Sequence, residues 1–494
     1  MSNAQQAAKA AQVRTAITPT REDNFPEWYQ SVVKAADMAE NSPVRGAMVI
    51  KPYGYGLWEQ IQRALDDKIK DEGVQNAYFP LLIPLSFISR EAEHVDGFAK
   101  ECAVVTHHRL EKGPEGGLVP SPDAQLEEPL VIRPTSETII GDSMAKWVQS
   151  YRDLPLLLNQ WCNVMRWEMR TRLFLRTSEF LWQEGHNAFE TAEQAEADAR
   201  KMLDVYRSLY TDFFAMSPFT GEKTADERFP GAVHTYTIES MMQDGKSLQA
   251  ATSHNLGQNF AKSCGIKFQG RDGNEHFAHT TSWGLSTRSI GGLIMTHGDD
   301  DGLKMPPRIA PIQVMILPIT KNDDGAAAVI EYAQKIAAEL KAIGIRVSID
   351  LSEQRAPDKM WSAIKKGIPL RVEVGGREVD EGKLTHTRRD LGRDSKTSCT
   401  VAEFVGSVKS ILDDIHDKMF AASHDFSRSR IVECQTAAQM QEYFETTKEL
   451  GFAKVPVSLL ADDALNTYRK ENALTTRCMP FEDEGRMVFI GKAY

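Results

Sequence analysis

Between Arg166 and His186 the chain reads R-W-E-M-R-T-R-L-F-L-R-T-S-E-F-L-W-Q-E-G-H, four arginines and three glutamates set among Trp, Phe and Leu. A guanidinium forks onto phosphate or carboxylate through two parallel hydrogen bonds, so arginines on a rigid support suit a polyphosphate. The apolar pattern predicts two neighbouring strands joined by a loop over 169–173 that carries Arg170 and Arg172. Arg166, Glu168, Arg176 and Glu179 would then stand on a sheet surface. A solvated hairpin of alternating ion pairs would show the same charges, so this segment alone leaves both readings open.

A second segment adds weight to the first reading. Trp283 to Gly292 reads W-G-L-S-T-R-S-I-G-G and sets Arg288 at the mouth of a run of small residues able to open a helix. There a nucleotide can approach the backbone closely.

The elements that must carry these groups are visible in the periodicity. Apolar residues recur at helical spacing over 57–69 and again over 192–214, and 77–84 is a strand closed by proline. Residues 247–252 are strand-like and bear Gln249 and Thr252. After Pro306-Pro307 a strand over 314–319, a helix over 326–342 and a strand over 347–350 predict a βαβ unit in a small α/β domain. The polar stretch 423–428 reads as a turn-rich boundary before a last domain.

Composition narrows the class. With 494 residues, 41% hydrophobic and 26% charged, the chain is an ordinary globular one of about two to four domains. No run approaches the apolar length that spans a bilayer. Six scattered cysteines without a C-x-x-C predict free thiols in a reducing cytoplasm. A net charge of -11 argues against nonspecific coating of nucleic acid, yet a local basic surface could still hold an RNA.

The motifs, in their order, resemble those of the prolyl-tRNA synthetases, a family of class II aminoacyl-tRNA synthetases. Residues 166–186 resemble motif 2, and 283–292, with Arg288, resemble motif 3. Arg133-Pro134-Thr135-Ser136-Glu137 and Thr252-Ser253-His254-Asn255-Leu256-Gly257-Gln258-Asn259-Phe260 match segments specific to the proline enzymes. The resemblance runs from about Asn24 to Tyr494. It implies a multidomain α+β and α/β fold. A flexible leader (1–22) precedes a class II catalytic domain on an antiparallel sheet (23–305), with motif 1 at about 46–84, motif 2 at about 160–189 and motif 3 at about 281–305. An α/β anticodon-binding domain (306–422) and a small α/β C-terminal domain (423–494) follow. Motif 1 would build a homodimer. Fewer than a hundred residues separate His186 from Trp283, which leaves no room for an inserted editing domain and resembles the archaeal and eukaryotic type.

The resemblance also implies a chemistry: ATP with Mg2+ activates L-proline to prolyl-adenylate, releasing pyrophosphate, and the 3' end of tRNA(Pro) takes the prolyl group. Arg166 would bridge the proline carboxylate and the α-phosphate. Glu168, Arg176, Thr177, Gln249, Thr252 and Arg288 would hold ATP, and Thr135, Glu137, Trp182, His186, His254 and Ser286 would surround proline. Thr135-Ser136-Glu137 also reads as a helix-capping sequence, and the two roles are compatible. His254 equally fits a satisfied core histidine. Lys366, Arg371 and Glu373 are candidates for reading anticodon bases, with a charged edge strand as the bland alternative. Glu239 is a secondary metal candidate, and the final Tyr494 matches a family tyrosine whose carboxylate can tuck toward the active site. Cys434 and Cys478 have no neighbouring Cys or His at ligand spacing, so no structural zinc is expected. The competing readings are a class II synthetase for threonine or serine and a paralogue that no longer aminoacylates. The motif arginines count against the paralogue, and the Thr135 and Thr252 segments favour proline.

Overall fold

The strand-like segments around 179–186 and 247–252 pair within one sheet whose register sets the site, whereas 77–84 is not one strand: only Leu82–Pro84 forms a strand there, and it pairs with Gln125–Ile132 in a separate three-stranded sheet. In the computed structural model, which describes residues 15–90, 101–320 and 325–494, the strand Leu156–Met165 pairs antiparallel with Glu179–Phe189. Glu179–Phe189 pairs on its other side with His279–Ser286, so Gly185 lies opposite Trp283 and Trp182 opposite Ser286. The sheet has eight strands in the order Met479–Pro480, Phe219–Glu222, His234–Met241, Ser247–Gly257, His279–Ser286, Glu179–Phe189, Leu156–Met165 and Gln75–Asn76. Every pairing is antiparallel except the last, which is parallel.

One face of this sheet is closed by helices. Thr191 and Gln194 form a capping box that starts the helix Ala192–Asp212. Its buried Ala195, Ala199, Met202, Leu203, Tyr206, Leu209 and Tyr210 recur at steps of three and four and pack on the sheet beside Leu57, Trp58, Ile61 and Leu65 of the helix Pro52–Asp71. Each of the large aliphatic side chains among them contributes roughly 1.5–3 kcal/mol on burial. The opposite face stays open as a cavity.

The βαβ unit expected after Pro306-Pro307 is present. Val314–Pro318 pairs in parallel with Val347–Ile349 and with Leu370–Val374, and the sheet continues antiparallel through Lys383–Arg388 and Thr397–Thr400. The helices Ala326–Ala342 and Val401–Ser429 cover it. A last unit has four strands in the order Ile431–Glu433, Phe452–Pro456, Met487–Gly491 and Thr475–Thr476.

Several expectations are corrected. Residues 423–428 are not a turn but lie inside the helix Val401–Ser429, whose buried Phe404, Val408, Leu412, Ile415 and Met419 carry a continuous apolar stripe. The serines end on the catalytic body rather than in solvent: the Ser423 hydroxyl accepts from the Ser217 N–H at 3.3 Å, and Ser427 is buried. The leader was expected to be flexible over 1–22. Residues 1–14 lie outside the described residues, and from Thr15 the chain is packed: the Ile17 amide donates to Asp300 O at 2.8 Å, and Arg21 pairs with the Asp300 carboxylate at 3.2 Å. Leu370–Val374 is an interior strand, so its charges do not protect a sheet edge.

Candidate active site

Arg166, Glu168 and Arg176 do not stand on the sheet. The connection between the two hairpin strands runs from 166 to 178, longer than the loop expected over 169–173. Leu173, Phe174 and Leu175 break the strand alternation by all turning inward, with Phe174 at φ +62°. The loop is closed by paired backbone contacts: Arg166 N donates to Ser178 O at 2.8 Å, Arg172 N to Arg176 O at 2.7 Å, and Ser178 N to Gly46 O at 2.7 Å. A loop so tied presents its arginines as firmly as a strand would.

This loop and the open sheet face enclose a cavity of about 680 Å³. Thr135, Glu137, Arg166, Glu168, Arg176, Thr177, Trp182, His186, Gln249, Thr252, His254, Ser286 and Arg288 all line it. The grouping follows from the side-chain period of two along a strand, which turns Trp182, Glu184 and His186 to one face. Gln249, Thr252 and His254 come from the neighbouring Ser247–Gly257 strand, and Ser286 ends the strand between them. The helix expected after motif 3 begins at Arg288 and runs to His297.

Two ends of the cavity differ in chemistry. At one, the Arg166 guanidinium lies 5.3 Å from the Trp182 ring centroid and 5.5 Å from that of Phe180, and its Nε donates to Pro134 O at 2.9 Å. Burial lowers its pKa, and the charges of Glu137 and Glu184 work against that shift. Glu137 is the first residue of the helix Glu137–Trp147 and accepts from the Thr135 hydroxyl, while the Ser136 N-cap makes no side-chain capping bond. His186 Nε2 lies 3.1 Å from Glu184, and His254 Nδ1 lies 3.0 Å from the Thr235 hydroxyl, with its ring 4.6 Å from that of Phe229. At the other end, Arg176 pairs with Glu168 at 3.5 Å, and Arg288 Nη2 donates to a main-chain oxygen of Tyr494 at 2.8 Å. Burial and the nearby Arg176 charge push the Arg288 pKa down to about 10. Thr177 Oγ1 and Arg288 Nε are buried without a hydrogen-bond partner.

Other residues of the site were missed by sequence reasoning. Glu184 accepts from Ser136 N at 3.2 Å and from Gln160 Nε2 at 3.1 Å besides facing His186. Its position two residues before His186 on a strand was the available signal. Lys223, Glu227, Arg228 and Phe229 also line the cavity, from a loop with no periodicity to read. Glu239 is committed elsewhere: it accepts from Lys223 Nζ at 2.6 Å and from the Ser247 hydroxyl at 2.5 Å, which corrects its candidacy as a metal ligand. Among the described residues no group of three or more His, Cys, Asp or Glu stands together as a metal site.

Lys366, Arg371 and Glu373 are not gathered on one open surface. Lys366 Nζ lies 5.3 Å from the Tyr53 ring centroid, and Tyr53 donates to the Lys366 carbonyl at 2.8 Å. Arg371 is buried with Nε unpartnered, and Glu373 pairs with Lys396 at 2.8 Å.

A family model described as tRNA synthetase class II core domain (G, H, P, S and T) matches residues 121–297, and one described as Anticodon binding domain matches residues 313–411. The proline–tRNA ligase of Bdellovibrio bacteriovorus is 53% identical over 490 residues, covering 97% of this chain and 97% of its own length. That of Protochlamydia amoebophila is 51% identical over 492 residues, covering 97% and 96%. Among solved structures, the prolyl-tRNA synthetase from Cryptosporidium parvum complexed with halofuginone and AMPPNP matches with a TM-score of 0.86 at 34% identity, over 97% of this chain and 99% of that one. With identity of this order along nearly the whole length, the chain belongs to the prolyl-tRNA synthetase family of class II aminoacyl-tRNA synthetases.

Proposed function

We propose that this cavity activates L-proline with ATP and passes the prolyl group to tRNA(Pro). The observation that carries the reading is Arg166, which stands beside Glu137, Glu184 and Trp182 and shares one cavity with His186, Arg176 and Arg288. The first step joins the proline carboxylate to the α-phosphate of ATP and releases pyrophosphate; in the second, the terminal ribose hydroxyl of the tRNA displaces AMP from the acyl carbon. Neither step needs a nucleophilic side chain. The task is to align two anions and to stabilise charge as it develops on phosphorus, which a bidentate guanidinium does well.

Thr135 and Glu137 accept from the ring nitrogen of proline, which supplies the cation that the carboxylate requires. Trp182, His186, His254 and Ser286 enclose the ring and carboxylate. Glu168, Arg176, Thr177 and Arg288 hold the nucleotide. Magnesium enters with ATP, which brings most of its ligands as phosphate oxygens and water, and the Gln249 and Thr252 side chains are the oxygen donors nearest to that role. Lys366, Arg371 and Glu373 stay with anticodon reading as part of the same proposal, most directly through Glu373, which is paired on the surface rather than buried.

The protein works as a homodimer through motif 1, a reading supported by the exposed rings of Tyr78 within it and of Trp147, which packs against its Phe79. We place it in the cytoplasm; among the described residues no helix is long and apolar enough to cross a membrane. Proline is small, and discrimination against a ligand lacking a methylene or two is worth only about 1–3 kcal/mol. The stretch from Phe189 to His279 is occupied by the helices Ala192–Asp212 and Asn259–Cys264, three strands of the main sheet and a small two-stranded sheet, so alanyl-tRNA formed in error is cleared by a separate protein or tolerated. Rapid deacylation of that tRNA by the purified protein would contradict this. The decisive measurement for the whole reading is pyrophosphate exchange across the twenty amino acids. Proline should be activated; threonine or serine in its place would overturn the assignment.

A further inference from the structure

The cavity wall contributed by residues 223–230 is held from behind by the C-terminal unit. Lys223, buried at the cavity, donates to Glu239 at 2.6 Å, and Arg477 Nη1 reaches the other oxygen of Glu239 at 3.8 Å. Arg477 Nη2 lies 4.0 Å from Glu227, which lines the cavity itself, and donates to the Thr475 hydroxyl. Beside it the Thr224 and Thr476 hydroxyls share a 2.6 Å hydrogen bond. The two units approach so closely there that a Cβ on Gly221 would stand 2.3 Å from Met479 O. Charges therefore alternate from Lys223 through Glu239 and Arg477 to Glu227, and the side chain at the centre, Arg477, is only 6% exposed. The same wall carries Phe229, whose ring packs on His254.

We infer that Arg477 is a positioning residue for the amino-acid side of the active site: from the C-terminal unit it sets the wall of 223–230 against His254. It touches no substrate. Its effect reaches proline through Glu227 and Phe229; at the nucleotide end its charge acts on Arg288 only from a distance, and among the described residues it makes no hydrogen bond or ion pair with Glu168, Arg176 or Arg288. This inference rests on the reading that the cavity binds proline, and the test keeps the two apart by first requiring proline-dependent exchange from the unaltered full-length protein.

In that assay Arg477→Gln should raise the KM for proline about fivefold or more while the KM for ATP stays within about twofold, and Arg477→Lys should recover part of the loss. Glu227→Gln reports on the same contact at a half-exposed position that leaves the buried Lys223–Glu239 pair in place, and it should show the same selective rise. The double variant should be no worse than Arg477→Gln, since both changes break one contact. Arg486→Gln, at an exposed ion pair with Glu484 in the same unit, should leave both constants unchanged. An unchanged KM for proline in Arg477→Gln, proline and ATP constants rising together, or effects of Arg477→Gln and Glu227→Gln that multiply would overturn the inference while leaving proline activation intact.

Discussion

His186 Nε2 stands 3.1 Å from a carboxylate oxygen of Glu184, two residues away on the same face of one strand, and both side chains are buried. Burial alone would lower the histidine pKa; the hydrogen bond and charge of Glu184 outweigh it and raise the pKa above the ordinary value. Glu184 in turn is held below the usual carboxylate range, against its own burial, by His186. Among the described residues no carboxylate pairs with His254, which lines the same cavity. Burial, with the charge of His186, takes its pKa to about 3. Glu184 thus favours the protonated form of one imidazole, while burial favours the neutral form of the other.

Stability should consequently fall on both sides of neutrality. His186 has a raised folded pKa, so its contribution is complete below the unfolded value of about 6.5 and is lost as pH rises through the folded one. His254 is depressed, so between about 3 and 6.5 the unfolded chain binds the extra proton and stability is lost on acidification. Urea unfolding followed from about pH 5 to 9 should show His254→Asn with a flatter acid limb. An acid limb identical to that of the unaltered protein would contradict the assignment.

His186→Ala leaves Glu184 buried without its cation. Removing one partner of a buried pair costs about 3–5 kcal/mol, and the bonds from Ser136 and Gln160 should hold the loss to the lower end of that range. Denaturant midpoints measure it; a loss under about 1 kcal/mol would mean the pair is not ionised.

Arg166→Lys keeps a positive charge but loses the fork and the Nε bond to Pro134 O. Loss of a charge-stabilising donor of this kind lowers kcat by about 10²–10³. Proline-dependent exchange should fall by that order with little change in Tm.

Gly185→Ala should be badly tolerated although the substitution is small. The new Cβ would stand 2.1 Å from the Trp283 ring, which faces Gly185 across the paired strands. Overpacking of this kind costs about 1–3 kcal/mol or more, and it would displace the strand bearing Glu184 and His186. Wild-type Tm together with wild-type exchange would rule this packing out.

Asp299, just beyond the motif 3 helix, makes two bonds to Arg389 of the neighbouring domain, at 2.6 and 2.9 Å. Despite burial, Arg389 and Lys304 bring its pKa to about 2. Its contribution is present above the unfolded value of about 3.9 and is lost as pH falls through the folded one. Asp299→Asn should destabilise by about 2.5 kcal/mol, judged from the shift at about 1.4 kcal/mol per unit, and should remove that acid dependence in thermal melts.

How far the sequence could be read depended on the kind of signal. The helix 326–342 was legible to the residue because an amphipathic period written over seventeen positions has one solution. The hairpin was legible only in part: Glu179–Phe189 lies where a strand was expected, but its partner is Leu156–Met165 rather than a strand through Arg166 and Glu168, and Leu173, Phe174 and Leu175 look like strand residues yet turn inward onto the core around the helix Phe25–Ala35, where Tyr29 donates to Leu173 O at 2.7 Å. The turn placed at 423–428 failed because serines tolerate a helix whose apolar stripe has already been set upstream.

By itself the sequence pointed to the family and to many of the side chains that share the cavity, since Arg166, Thr135, His254 and Arg288 sit in local motifs whose residue types imply their chemistry, but Glu184 and the wall of 223–230 were not among them. Only the tertiary structure decided which charges those side chains carry and what holds the wall opposite them. Glu184 favours protonation of His186 across a contact at strand spacing, but Arg477 meets Glu239 from more than two hundred positions away. Such long-range ion pairs are set by how sheets dock against one another, and no local pattern encodes that.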